Sequence, residues 1–121
     1  MTTLAYLATP YSKYMGGDLE RAFIDAARLA ARLLAVGVHC YSPIVHMHPI
    51  AIHGGLDPLD YGIWLPFDEM MMASCDTLIV AQMDGWDQSV GIAHEITLFK
   101  KAKKPVFDLN IETLTMTRRA T

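Results

Sequence analysis

The residues best suited to chemistry lie between a predicted buried strand and a predicted helix. They are Ser89, Gly91 and Glu95. A turn from a strand into a helix presents free backbone N–H groups and a positive dipole end to an anion. Ser89 adds a hydroxyl, and Gly91 lets a ligand approach the helix closely. Glu95 follows Ser89 by six residues, nearly two helical turns, so its carboxylate is expected on the same side of the helix. The alternative is that Ser89 only caps the helix and that Glu95 is solvated.

A second carboxylate, Asp68, belongs to the preceding predicted helix. It follows Trp64 by four residues, which places both on one helical face. The pattern alone allows either a site residue or a solvated charge. Asp76 lies at the start of a buried strand, where a short polar side chain usually caps the preceding turn. We therefore predict a structural role for Asp76.

Three histidines, His46, His48 and His53, lie close together in a segment of irregular pattern. A zinc site would call for a cysteine pair or a His-Glu-x-x-His spacing, and neither accompanies them. Contact with a ligand in the loop, or packing, accounts for them better. We therefore predict no metal site.

The elements that must position these side chains alternate between strands and helices. Strands are predicted at 4–8, 38–41, 77–81 and 105–109, and helices at 19–36, 60–73 and 89–102. Asp18 is the expected N-cap of the first helix and Gly37 its stop. We expect 44–57 to be a long loop or a short irregular helix, and 111–118 a short closing helix. This alternation predicts a small doubly wound α/β fold of flavodoxin-like order, with a parallel sheet and helices on both faces. The ligand loops are then 9–17, 42–57 and 82–89.

Composition limits the class of protein. The 121 residues are 52% hydrophobic and 19% charged, which indicates one globular domain over residues 1–121. A net charge of −3 gives no electrostatic footprint for a nucleic acid polymer. The N-terminus has neither a basic segment nor a long apolar run, and two distant cysteines suggest no disulfide framework. We expect a cytoplasmic protein that does not contact a membrane.

Several motifs in order resemble those of the nucleoside 2-deoxyribosyltransferase-like superfamily. They are Tyr6-Leu7-Ala8-Thr9-Pro10, Asp68 through Cys75-Asp76, Ser89-x-Gly91-x-x-x-Glu95 and Lys104-Pro105-Val106. The resemblance covers about residues 4 to 108. Within the superfamily the chain looks closest to an uncharacterised bacterial and phage subgroup with the signature Gly-Trp-x-x-Ser-x-Gly.

The resemblance implies a cleavage of N-glycosidic bonds. Glu95 matches the catalytic glutamate that attacks the anomeric carbon, Asp68 the aspartate associated with proton transfer or sugar placement, and Tyr6 the tyrosine that positions the nucleophile. No metal or organic cofactor is required. The residues expected to bind substrate are Ser89, Gly91, Asp87, Trp86, Thr9, Ser12 and His48.

The residue six positions before the catalytic glutamate separates the branches that the resemblance suggests. The base-exchanging transferases tend to carry an acid there, whereas the nucleoside 5′-monophosphate N-glycosidases carry a serine that holds the phosphate. Ser89 therefore favours a nucleotide, because a hydroxyl at a helix N-terminus attracts an anion. Asp87 could take the role of the transferase acid, so the transferase branch stays open. Two other classes also stay open: a non-catalytic nucleotide-binding module and a structural α/β subunit.

An apolar helix face predicts self-association. Trp64, Phe67, Met70 and Met71 recur at helical intervals and give the second long helix more apolar surface than a small sheet covers easily. Relatives in the superfamily commonly complete each site with residues from a neighbouring subunit. We expect a homodimer or a larger symmetric homo-oligomer.

Overall fold

Five strands form one sheet in the computed structural model, which describes residues 3–120. The strands are β1 (Ala5–Ala8), β2 (Cys40–Tyr41), β3 (Thr77–Ala81), β4 (Val106–Leu109) and β5 (Met116–Arg118), in the order β2-β1-β3-β4-β5. The first four run parallel, and β5 pairs antiparallel with β4. The parallel, flavodoxin-like order predicted from the sequence is confirmed for β1 to β4.

Four helices pack around this sheet. They are α1 (Leu19–Ala35), α2 (Pro43–Gly54), α3 (Tyr61–Ser74) and α4 (Val90–Lys101), with short 3-10 turns at Tyr14–Gly16 and Trp86–Gln88. Each helix begins at a polar residue whose side chain accepts a backbone N–H of the first turn: Asp18, Ser42, Asp60 and Ser89. The predicted cap at Asp18 is confirmed. Over residues 3–120, no helix is both long and apolar enough to cross a membrane.

The two central strands are buried on both faces, so their successive side chains enter different cores. Leu7 of β1 belongs to the core formed with α1 and α2, together with Leu33 and Met47. Its neighbour Tyr6 belongs to the opposite core, which α4 closes with Phe99. Helices therefore cover both faces of the sheet, as predicted. This alternation also directs the Tyr6 side chain toward α4, the helix that carries Glu95.

The segment that follows β2 is a regular helix and not a loop. Ser42 caps it and Pro43 occupies its first turn, where a proline loses no helical hydrogen bond. The interior Pro49 and the nearby glycines favoured an irregular segment in the sequence. Burial of Met47 and Ala51 against α1 and the sheet holds the helix together despite Pro49.

The predicted closing helix at 111–118 is wrong, because the chain turns back there into strand β5. The Asn110 side chain accepts hydrogen bonds from the N–H groups of Glu112 and Thr113, which fixes a turn in place of a helix. Arg119 then holds the returning strand through a 2.9 Å ion pair with Asp108 of β4.

Two polar residues outside the cavity described below have structural partners. The Asp76 carboxylate accepts a 2.8 Å hydrogen bond from the Leu4 N–H and so joins the start of β3 to the start of β1. This confirms the structural role predicted for Asp76. Lys104 donates to the carbonyl groups of Ala73 and Cys75 at 3.0 and 2.7 Å, at the C-terminal end of α3. A cation there offsets the partial negative charge of the helix end.

Candidate functional site

A cavity of about 290 Å³ lies beyond the carboxyl end of β1. It is bounded by the loop that follows this strand, by α2 and α3, and by the N-terminal turns of α4. Ligands of open α/β sheets bind at this end of the strands, as expected from the sequence. Six of the ten predicted site residues line the cavity: Thr9, Ser12, Asp68, Ser89, Gly91 and Glu95.

Glycine at position 85 allows two loops near this cavity to come together. Its φ of +80° lies in the left-handed region, and a Cβ built there would collide with the carbonyl oxygen of Lys13. Asp84 also accepts a 3.2 Å hydrogen bond from the Met15 N–H. The loop after β3 therefore packs directly on the loop after β1. A larger residue at Gly85 would push these loops apart.

Apolar side chains form most of the cavity wall. Met47 comes from α2, while Tyr61, Trp64, Leu65 and Met72 come from α3. Trp64 is buried, and its indole N–H donates a 2.9 Å hydrogen bond to the carbonyl of Asp57, which fixes the ring. Flat aromatic and thioether surfaces of this kind suit a planar ring system.

Glu95 lies on the second turn of α4 with its carboxyl group close to Tyr6. Burial raises the pKa of Glu95 to about 8; donation from the Tyr6 hydroxyl opposes the increase, and the charge of Asp68 adds to it. Tyr6 is itself fully buried, and burial followed by the Glu95 charge raises its pKa. Its hydroxyl has no fully formed hydrogen bond within the part of the chain that the structure describes. The Tyr6 hydroxyl therefore lies close to the Glu95 carboxyl group, but without the full geometry of a hydrogen bond.

Asp68 approaches the same cavity from α3. The carboxylate is partly buried, and this desolvation raises its pKa to about 6. Burial, followed by the charge of Asp68, raises the pKa of Tyr41 to about 12. The residues that line the cavity, all within 3–120, include no lysine or arginine. No lysine or arginine of the wall therefore offsets the desolvation that raises the pKa of both carboxyl groups.

The N-terminal turn of α4 forms the polar end of the cavity. The Ser89 hydroxyl oxygen accepts a 3.2 Å hydrogen bond from the Ile92 N–H, so it is the N-cap of the helix. Its own proton is still available to a ligand. The buried Thr9 hydroxyl, which also lines the cavity, has no hydrogen-bond partner among residues 3–120. A buried donor without a partner is costly, and a bound polar ligand would satisfy it.

Tyr6 is a seventh predicted site residue in this region. It lies beneath the cavity and is linked to it through Glu95. The three others, Trp86, Asp87 and His48, were predicted to bind substrate, but none of them lines the cavity. Trp86 packs partly buried, with the Arg119 guanidinium 5.4 Å from its ring centre. Asp87 is exposed on the 3-10 turn.

His48 is deeply buried, which agrees with packing, the alternative left open for the three histidines. Its ring stacks on Phe23 with centroids 4.8 Å apart. Both ring nitrogens are already bonded, to the Tyr11 hydroxyl at 2.6 Å and to the Glu20 carboxylate at 2.8 Å. The regular helix α2 turns His48 toward α1, whereas a loop would have left it free to reach a ligand.

Several residues at the cavity were not predicted from the sequence. Tyr11, Met47 and Tyr61 line it, and Tyr41 lies near Asp68. Tyr11 and Met47 fall within the predicted ligand loops 9–17 and 42–57, but their types did not single them out, and the helical periodicity around Tyr61 is the same as that of core residues. Trp64 was expected on an exposed face, and the structure places it in this wall instead. Within residues 3–120, no group of three or more His, Cys, Asp or Glu side chains could hold a metal ion.

Comparison with known proteins gives one family and no function. A family model described as a domain of unknown function, DUF1937, matches residues 3–111. No curated protein matches the chain. The matched range includes the whole parallel sheet and every residue that lines the cavity. The chain therefore belongs to the DUF1937 family.

Proposed function

We propose that this protein cleaves the N-glycosidic bond of a nucleoside 5′-monophosphate, with Glu95 as nucleophile. The observation that carries the proposal is the pairing of Glu95 and Asp68 on one cavity. Glycosidic cleavage with retention needs one ionised carboxylate to attack and one protonated carboxyl group to help the leaving group depart. Near neutral pH the two carboxyl groups, whose pKa values are raised, hold one proton between them, and the reaction uses the arrangement in which Glu95 is ionised and Asp68 carries the proton.

The reaction follows in two steps. Glu95 forms a bond to C1′ of the sugar while the bond to the base breaks, and Asp68 gives its proton to the departing base. Water then attacks C1′, the bond to Glu95 breaks, and Asp68 takes the proton from the water. Tyr6 donates toward the ionised form of Glu95, which supports its role as nucleophile.

The shape and polarity of the cavity support a nucleotide as substrate. Trp64, Tyr61 and Met47 offer an apolar surface for a base. At the polar end, the first turn of α4 and the Ser89 hydroxyl offer donors to a phosphate. The volume of about 290 Å³ lies at the lower end of the range for small-molecule sites.

Among residues 3–120, no lysine or arginine lines the cavity, and this favours a second candidate within the same chemistry. An uncharged nucleoside would avoid repulsion between a phosphate dianion and the two carboxylates. A base-exchanging 2-deoxyribosyltransferase is therefore the alternative. In that reaction a second base, and not water, captures the sugar from Glu95.

Incubation with a panel of nucleosides and 5′-monophosphates tests the proposal. Chromatography should show free base released from at least one member, and added free base distinguishes exchange from hydrolysis. Glu112→Gln is a suitable control for carboxylate loss, because Glu112 is exposed and does not line the cavity. Binding of a nucleotide without any release of base would instead support a non-catalytic binding module.

A further inference from the structure

A chain of hydrogen bonds runs from the protein surface to the cavity wall. Glu20 on α1 is 64% exposed at its side chain, whereas the side chain of His48 on α2 is only 3% exposed. The Glu20 carboxylate lies 2.8 Å from Nε2 of His48, and the hydroxyl of Tyr11 lies 2.6 Å from Nδ1. Tyr11 lines the cavity, but His48 and Glu20 do not.

With Glu20 ionised and His48 neutral, the direction of each hydrogen bond is determined. An ionised carboxylate can only accept, so Nε2 of His48 carries the hydrogen. In the neutral ring Nδ1 is then the acceptor, and the Tyr11 hydroxyl donates to it. Tyr11 therefore uses its hydroxyl proton in the hydrogen bond to Nδ1 of His48. The tyrosine oxygen keeps lone pairs with which it can accept a hydrogen bond.

The neighbours of Tyr11 indicate which part of a ligand it faces. Tyr11 belongs to the same apolar cluster as Met47 and Trp64, two residues of the cavity wall. Burial, the charge of Glu20 and the nearby Tyr61 hydroxyl raise the pKa of Tyr11 to about 12, so the hydroxyl stays protonated at neutral pH. This apolar half of the cavity is the part that suits a planar base.

We propose that Tyr11 is a specificity residue that accepts a hydrogen bond from an amino group on the base, and that His48 and Glu20 are its positioning residues. This inference rests on the proposed function in one respect: it takes a nucleobase as the ligand that occupies the cavity. The selected class is bases with an exocyclic amino group, because a base without one leaves the Tyr11 oxygen unsatisfied. Stacking of His48 on Phe23 at an interplanar angle of 21° fixes the ring that orients Tyr11.

The experiment compares ligands that differ only in the amino group, and it measures binding instead of turnover. Two pairs serve as probes: 2′-deoxyadenosine with purine 2′-deoxyriboside, and 2′-deoxycytidine with its 4-deamino analogue. Calorimetric titration of the Glu95→Gln variant avoids consumption of the ligand. We expect the amino member of at least one pair to bind roughly three- to tenfold more tightly, the effect of one hydrogen bond.

Variants then assign the preference to Tyr11. Tyr11→Phe in the same background should abolish the preference while keeping the aromatic ring. Tyr14→Phe is the matched control, because Tyr14 is equally buried on the same loop but donates to Asp25 at 2.6 Å and does not line the cavity. Glu20→Gln should reduce the preference, since an amide can donate to Nε2 and so reverse the His48 tautomer. A merely structural role for Glu20 would weaken both members of a pair equally.

The possible outcomes separate this inference from the proposed function. If the protein binds amino nucleosides selectively but cleaves none, the role of Tyr11 is supported and the proposed enzymatic function is contradicted. Equal binding within both pairs, or a preference that survives Tyr11→Phe, overturns the role of Tyr11 and leaves glycosidic cleavage intact. Failure of all four nucleosides and of their 5′-monophosphates to bind at millimolar concentration contradicts both.

Discussion

Glu95 on α4 and Asp68 on α3 line the same cavity, and burial raises the pKa of both carboxyl groups, to about 8 and about 6. The charge of Asp68 contributes to the increase at Glu95, so the two groups titrate as a coupled pair. Between these values the pair holds a single proton. The higher pKa places this proton mainly on Glu95. A retaining glycosidic cleavage uses the other one-proton arrangement, with Glu95 ionised and Asp68 protonated, so the proton must pass to Asp68 before Glu95 attacks.

The dependence of catalytic efficiency on pH should therefore be bell-shaped. We expect kcat/KM to increase with pH around pH 6 and to decrease around pH 8, since only the pair that holds one proton is active. Both apparent pKa values lie above the ordinary range of carboxyl groups. Initial rates of base release from pH 4.5 to 9.5 measure the profile. A rate that is constant from pH 5 to pH 9 would show that the pair does not control the reaction.

The same burial predicts a stability effect that needs no substrate. A carboxyl group whose pKa is raised on folding binds more protons in the folded than in the unfolded state, so stability falls as pH rises between the two values. For Glu95 that window extends from about 4.5, its ordinary value, to about 8. Thermal unfolding of Glu95→Gln should show a smaller loss of Tm between pH 5 and pH 8 than the wild type. Parallel curves for the two proteins would argue against a buried Glu95.

The sequence predicts the scaffold of this site better than its walls. Strand and helix patterns place Ser89 and Glu95 on one helix, because local periodicity determines which residues share a face. They do not distinguish a core residue from a cavity residue, so Trp64 was not recognised as part of the wall, and Met47 was placed only within the predicted ligand loop 42–57. The burial of His48 could not be read from the sequence for a related reason. Its partners Glu20 and Tyr11 are distant in sequence, and only tertiary packing turns α2 toward them.

Substitution of Ser89 decides between the two candidate substrates. Ser89→Ala should lower kcat/KM for a 5′-monophosphate by about ten- to a hundredfold, since charge-assisted hydrogen bonds contribute roughly 1.5–3 kcal/mol each. Ser89→Asp keeps a helix cap but adds a negative charge, so it should be worse for monophosphates and should spare free nucleosides. Both substrates are assayed with wild type and both variants.

Loss of the helix cap is the complication in this test, and Ser42→Ala controls for it. Ser42 caps α2 with the same 3.2 Å geometry but does not line the cavity. A wild type that prefers free nucleosides and tolerates Ser89→Ala would favour the transferase. The exposed Asp87 would then have to move to reach a 5′-hydroxyl.

The outer face of α3 predicts a homodimer. Trp64 is buried in the cavity wall and Met71 is partly buried, but Ile63, Phe67 and Met70 are exposed at helical spacing, Met70 by 71%. This stripe is a surface that a second copy would cover. Sedimentation velocity at micromolar concentration should show a dimer or larger oligomer, and Met70→Glu should weaken it. A 13.5 kDa monomer across this range would contradict the prediction.

The identity of the nucleophile is tested most directly by capturing the sugar on the protein. A 2-fluoro-2-deoxy-arabinosyl nucleoside or nucleotide slows the second step, because fluorine destabilises the cationic transition state more than the covalent ester. Intact mass measurement after mixing should show the added sugar, with or without phosphate, and peptide mapping should place it on Glu95. The Glu95→Gln variant should carry no adduct, whereas Glu112→Gln should label fully. Release of base without any adduct, or an adduct on Asp68, would contradict the account of Glu95 as nucleophile.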